Sequence, residues 1–156
     1  MDVEVRVAAD AELEAVAELR WRWVRESGDG PLPERSAYAA EAAAWARAHA
    51  GSHVPIVAIA GGEVVGMAWL AIQPRVPTPL SFERRSGDLQ SCYVVPERRA
   101  AGIGRRLAEA VLDEARRRGL EHVTVHASRD SIPVYERAGF RANPRSLWAE
   151  GAEPER

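Results

Sequence analysis

Apolar and polar positions alternate at the start of the chain, where Val3, Val5 and Val7 are separated by charged residues; a period of two predicts a half-buried strand. Asp10 stands where a helix cap is needed. Leu13, Val16, Ala17 and Val24 then recur at helical spacing to about Ser27, with Trp21 and Trp23 near the end. The turn-rich stretch Ser27 to Ser36 connects this helix to a second one, which carries Tyr38, Ala42, Trp45 and His49 on one face. Val54 to Ala60 is a short run of branched residues, and Gly61-Gly62 before VVGMAWLAI predicts a two-residue hairpin turn and an antiparallel pair.

Gln73 to Asp88 carries three prolines and reads as a long surface loop. Leu89 to Val95 is the next strand and runs into Pro96. A helix follows with Leu107, Val111 and Ala115 on one face to about Arg118, stopped by Gly119. His122 to Ala127 predicts another strand, and Ser131 to Ala138 a short helix that tolerates Pro133 in its first turn. FRANPRSLWA, after Gly139, reads as a last strand. The order strand, two helices, three strands, helix, strand, helix, strand predicts a single α/β (α+β) domain over residues 1–156, with a mixed sheet carrying packed helices and a flexible tail over 150–156.

Composition narrows the function classes. The net charge of -2 argues against a general nucleic-acid binder, and no apolar stretch reaches the length of a membrane span. All 21 basic residues are arginine, so a lysine Schiff base is excluded. Cys92 has no cysteine to pair with, which fits a reducing cytoplasm, and the acidic N-terminus does not resemble a signal peptide. The chain is therefore expected to be cytoplasmic.

The chemistry concentrates in RRAAGIGRRLAEAV, Arg98 to Val111. Two glycines and four arginines at a helix start suit an anion: unpaired N–H groups, the positive end of the helix dipole and full charges converge there. Without lysine a Walker A loop is impossible, and the dinucleotide fingerprint fails where Leu107 replaces its last glycine. What remains is an R-x-x-G-x-G run, Arg99 to Gly104, between a strand and a helix. By itself it is equally a glycine turn beside solvated arginines.

The stretch CYVVPERRAAGIGRRLAEAVLDEARRRG resembles motif A of the GNAT-type N-acetyltransferases, and SIPVYERAGF resembles their downstream motif, with a tyrosine four residues before Gly-Phe. GGEVVGMAWL resembles their second and third strands. The resemblance implies a mixed, mostly antiparallel central sheet with helices on both faces, acetyl-CoA as cosubstrate, no metal, and a small-molecule or peptide amine as acceptor. It also implies that backbone amides of Arg99, Ala100, Ala101, Gly102, Ile103 and Gly104, with Arg105, embrace the pyrophosphate. Tyr93, Val94 and Val95 would lie beside the pantetheine arm, with a bulge aiming the Val94 N–H at the thioester oxygen. Ser128 and Ser131, where relatives often carry asparagine and alanine, are further candidate cofactor contacts. A homodimer built through C-terminal strands would match a common arrangement among relatives.

Acetyl transfer to an amine needs a neutral nucleophile, donors for the developing oxyanion and a proton for the departing thiolate. The resemblance assigns the last role to Tyr135; packing on the sheet with the hydroxyl as a binding group is the alternative. Asp88 is the candidate base, since Asp88, Gln90, Cys92 and Val94 alternate onto one face of a regular strand. A solvated acid closing the preceding loop explains it equally. Acetyl transfer by direct attack in a ternary complex is the expected activity, and a non-catalytic acyl-CoA sensor is the alternative. His122 and His126 share a strand face without the partners a metal needs, and Cys92 reads as a small buried residue. Trp21, Trp23 and Trp45, with Glu26 or Asp29, can line an acceptor pocket for a cationic amine or simply pack.

Overall fold

The computed structural model describes residues 2–152; residues 153–156, most of the expected tail, lie outside the described residues. Its five strands are β1 (Val3–Val7), β2 (His53–Ala60), β3 (Glu63–Arg75), β4 (Arg84–Val94) and β5 (Val123–Val125), and its helices are α1 (Leu13–Glu26), α2 (Arg35–Ala48), α3 (Ile103–Arg117) and α4 (Ile132–Ala138). The strands lie in the order β1-β2-β3-β4-β5, antiparallel except for the parallel pair β4-β5.

Local chemistry accounts for most of these elements. Gly61 and Gly62 take φ of 58° and 78°, the positive angles that a tight hairpin turn between right-twisted strands requires. Leu107, Val111 and Ala115 of α3 are buried at intervals of four residues, so one face of that helix is apolar and the other carries its arginines. A Cβ placed on Gly66 would come within 3.0 Å of Leu107, which puts Gly66 on the α3 face of the sheet. Trp69, three residues on, points to the opposite face and packs with Leu13, Ala43 and Ala46 of α1 and α2. Helices thus cover both faces, as the family resemblance implies.

Four expectations need correction. The proline-bearing stretch 73–88 is mostly strand: β3 continues to Arg75 and β4 begins at Arg84, with Gln73, Pro74 and Arg75 paired to Ser86, Arg85 and Arg84. Only residues 76–83 remain as a loop. Asp10 does not cap the first helix; its carboxylate binds Arg47 at 2.8 Å, and the Glu12 carboxylate accepts from the Ala9 N–H instead. No strand forms over residues 140–149 among the described residues. Asn143 turns the chain there, its side chain accepting from the Arg145 N–H and its carbonyl from the Ser146 N–H.

The fourth correction concerns β4. Met67 pairs with Tyr93 but Trp69 pairs with Gln90, so β4 carries one extra residue, and Ser91 takes a φ of 57°. This is a β-bulge, and it inverts the alternation beyond it. Asp88 and Gln90 share the Trp69 face, whereas Val94, paired with Gly66, shares the α3 face. The four alternating positions of a regular strand are therefore split between the two faces.

Candidate active site

β5 pairs with β4 only from Gly87 to Leu89, so beyond Leu89 the two parallel strands part. The Val95 N–H bonds the Val65 carbonyl, and in an antiparallel ladder the preceding residue then turns its N–H and C=O away from β3, toward the gap. Val94 consequently offers a backbone edge to whatever enters between the strands. Its carbonyl accepts from Arg99 Nε at 2.9 Å.

α3 begins beside this edge. Gly102 is its cap residue with a φ of 79°, no side chain caps the helix, and the first hydrogen bond of that turn runs from the Arg106 N–H to the Gly102 carbonyl. The N–H groups of Ile103, Gly104 and Arg105 precede that bond and have no intrahelical acceptor. Ala100 also holds a positive φ, 63°, which bends the loop before the helix. A Cβ on Gly104 would meet Val134 at 3.8 Å and Val94 at 4.0 Å, so a small side chain fits here but a long one would fill the gap.

A cleft of about 540 Å³ joins these elements. Cys92, Tyr93 and Val94 form one wall, the loop and first turn from Arg98 to Arg105 another, and Ser131, Val134, Tyr135 and Arg137 the third. Among the expected residues, Val95, Ala101 and Ser128 do not line it. Val95 is buried, and Ser128 shares a 2.7 Å hydrogen bond with Ser131 that holds the start of α4. Val134 and Arg137 line the cleft without having been singled out from the sequence; each sits one helical turn or less from Tyr135, which is the signal that finds them.

Two hydroxyls of the site have unlike settings. Tyr135 and Cys92 line the same cleft, and burial followed by the nearby thiol holds the Tyr135 phenol well above the ordinary range, so it keeps its proton. Burial also pushes the Cys92 thiol up to about 11, which removes it as a thiolate nucleophile. The Tyr93 side chain leaves the cleft for the other face. There it stacks on Trp23 at 5.6 Å and donates to Glu26, and burial followed by that carboxylate pushes its phenol up to about 12. Glu26 is held below its usual carboxylate range, first by Tyr93 and then by Arg99, whose Nη2 lies 3.1 Å away. Glu26 is thus a strut between α1 and the glycine loop.

Asp88 is not among the cleft residues. Its carboxylate accepts from Thr124 Oγ1 at 2.7 Å and from Gln90 Nε2 at 3.0 Å on the opposite face. That face holds a second cleft of about 210 Å³, formed by α1, α2, His53, Trp69, Gln90 and Ser91. Trp45 lines it, whereas Trp21 donates to the Pro33 carbonyl and Trp23 covers Tyr93.

The profile of the acetyltransferase (GNAT) family matches residues 13–140, a span that takes in the bulge, the glycine loop and Tyr135. The chain belongs to this GNAT family. A glucosamine 6-phosphate N-acetyltransferase of Trypanosoma brucei brucei is 35% identical over 86 residues, covering 55% of this chain and 56% of that relative. A mycothiol acetyltransferase of Saccharomonospora viridis is 34% identical over 97 residues, covering 60% of this chain and 31% of that relative. The chain therefore spans about half the length of one curated relative and about a third of the other. Among solved structures, a Trypanosoma brucei acetyltransferase superposes with a TM-score of 0.71 at 29% identity, covering 96% of this chain and 99% of that one. A Clostridium acetobutylicum protein named as a predicted acetyltransferase and solved with acetyl-CoA shares the fold, with a TM-score of 0.74 at 20% identity, covering 96% of each chain.

Among the described residues no group of three or more His, Cys, Asp and Glu side chains is placed to hold a metal ion, and no helix is long and apolar enough to cross a membrane.

Proposed function

We propose that the chain transfers an acetyl group from acetyl-CoA to a primary amine on a small molecule, by direct attack with both substrates bound. The observation that carries this reading is the meeting, in one cleft, of an open β4 edge, an uncapped α3 start and a protonated Tyr135. Acetyl-CoA supplies an acyl group already activated as a thioester. The two curated relatives are named for small molecules, which supports an acceptor of that size.

The chain's own groups divide the work. The N–H groups of Ile103, Gly104 and Arg105, with the dipole of a 15-residue helix behind them, hold the pyrophosphate. Val94 binds the pantetheine arm as an added strand, and Arg99 must release the Val94 carbonyl for that to happen. The Val94 N–H, fixed before the reaction begins, donates to the acyl oxygen as negative charge gathers there. Tyr135, which lines the cleft opposite Val94, gives its proton to the departing thiolate, and the proton shed by the attacking nitrogen as it becomes an amide restores the phenol. Asp88 acts behind Gln90 as a positioning residue on the acceptor side, because both its oxygens are engaged.

Calorimetric titration with acetyl-CoA, with ATP as the control anion, followed by thiol release against an amine panel, tests the reading. Saturable binding of acetyl-CoA but not ATP, with thiol release dependent on an amine, is expected. Absence of binding would remove the reading, and binding without thiol release for any amine would leave an acyl-CoA sensor in its place.

A further inference from the structure

The second cleft has a wall chemistry unlike the first. Tyr38 and Trp45 of α2, His53 of β2 and Trp69 of β3 give it aromatic sides, and Trp45 meets Trp69 and His53 edge-on at 6.4 and 4.9 Å. Its floor reaches Gln90 and Ser91, the residues on the near side of the β4 bulge, while Cys92 to Val94 belong to the first cleft. Past Leu89 β5 no longer pairs with β4, and the linings of the two clefts meet along β4 between Ser91 and Cys92.

No carboxylate lines this cleft, and its one arginine is Arg20. Arg22, Arg47 and Arg99 are each tied to an acid, but among the described residues Arg20 has no carboxylate partner and rests over the Trp23 ring at 4.6 Å. His53 adds no positive charge at neutral pH: burial first, and then the neighbouring His49, hold its imidazole below the ordinary value. Ser52 Oγ lies 3.3 Å from the His49 carbonyl and 2.8 Å from His53 Nδ1, a hydrogen-bonded contact that turns Nδ1 of the imidazole toward Ser52. The titratable and charged groups facing His53 are His49 and Tyr38 of α2, Arg20 of α1 and, across two strands on the same face, Asp88 of β4.

We infer that this cleft takes an amine with a flat or apolar body that also carries an anionic group, a carboxylate being the simplest, with Arg20 pairing that group and the aromatic walls holding the body. A bare polycation is the wrong partner: it finds one arginine in the lining and, behind Gln90, only Asp88, whose two oxygens already accept from Gln90 and Thr124. The volume, about 210 Å³, suits a body of amino-acid size. This inference rests on the transferase reading given above.

The test compares thiol release from acetyl-CoA with L-phenylalanine, L-phenylalaninamide, 2-phenylethylamine and spermidine, each rate referred to the free-amine concentration. The carboxylate-bearing amine is expected to show the highest kcat/KM, by about tenfold or more over its amide, as an arginine-carboxylate contact supplies. Arg20→Gln, an exposed substitution, should bring the two to parity while leaving acetyl-CoA affinity unchanged. Equal or faster turnover of spermidine or 2-phenylethylamine, or a preference that survives Arg20→Gln, overturns the inference. Thiol release with none of the four also overturns it, and acetyl-CoA titration on the same protein then separates the two failures. Saturable binding leaves the cofactor site standing, and loss of binding removes the transferase reading as well.

Discussion

The two clefts lie on opposite faces of one sheet and meet at a single bulge, yet they are built from different materials. The first is made of backbone: the Val94 edge, the opening N–H groups of α3 and a loop bent at Ala100 and Gly102. The second is made of side chains, the aromatic rings of α2, β2 and β3 with Arg20 at the margin. Backbone donors are fixed by the fold and recognise a group common to many substrates, whereas side chains can be exchanged without moving a strand. A family can therefore keep the first cleft and vary the second, and fold alone fixes only the former.

The strongest way to break the first cleft is to fill it. Gly104→Glu places a long anionic side chain among the donors, between Val134 and Val94. Acetyl-CoA affinity should fall roughly a thousandfold, about 4 kcal/mol, with the far-ultraviolet circular dichroism unchanged. Calorimetric titration reads the first quantity. Next in size is Leu107→Ala, a cavity beneath Gly66 where the α3 face meets β3. It should cost about 3 kcal/mol in urea unfolding, because α3 loses its central contact with the sheet.

Tyr135→Phe sharpens the comparison by removing chemistry and keeping shape. A turnover rate about a hundredfold lower, with the KM for acetyl-CoA little changed, is the signature of a lost proton donor; steady-state thiol release measures both. Unchanged turnover would reduce Tyr135 to packing. Asp88→Asn keeps one acceptor oxygen and removes the charge. With Asp88 only orienting Gln90, its kcat should fall no more than about fivefold and its rate against pH should keep the parent's shape; a lost acidic limb would restore Asp88 as a base.

The material of each cleft also decides what the sequence could disclose. Gly102 and Gly104 are legible because close approach to the backbone demands glycine at fixed spacing next to a helix start, and Leu107, Val111 and Ala115 declare that helix. The bulge is not legible in the residues themselves, and only the family resemblance implies it. A left-handed residue in a strand is usually signalled by glycine, and here it is Ser91, imposed by pairing with a strand more than 20 residues away. Pro74 hid the end of β3, because a proline in a run suggests a loop and only the partner Arg85 shows otherwise. The apolar residues of 140–149 suggested a strand, but Asn143 and Pro144 turn the chain first. The second cleft draws on five elements from α1 to β4, and no spacing rule connects Arg20 to His53 or Trp69.

Glu26 joins the two regions, and it gives the smallest expected effect. It extends from α1, a wall of the second cleft, to Tyr93 and Arg99 at the first. Its pKa is lowered in the folded protein, so its contribution to stability is complete above the ordinary glutamate value of about 4.3 and is lost as pH falls through the lower folded value. Glu26→Gln should therefore lower stability by about 1 kcal/mol at pH 7, a figure that allows for a side chain still 31% exposed. The deficit should shrink as both proteins are taken below about pH 4, where the parent's carboxylate also gains a proton. Urea midpoints for parent and variant at the two pH values decide it. A deficit that does not change with pH would mean that Glu26 acts through shape and hydrogen bonding alone, and that its charge plays no part in fixing α1 to the glycine loop.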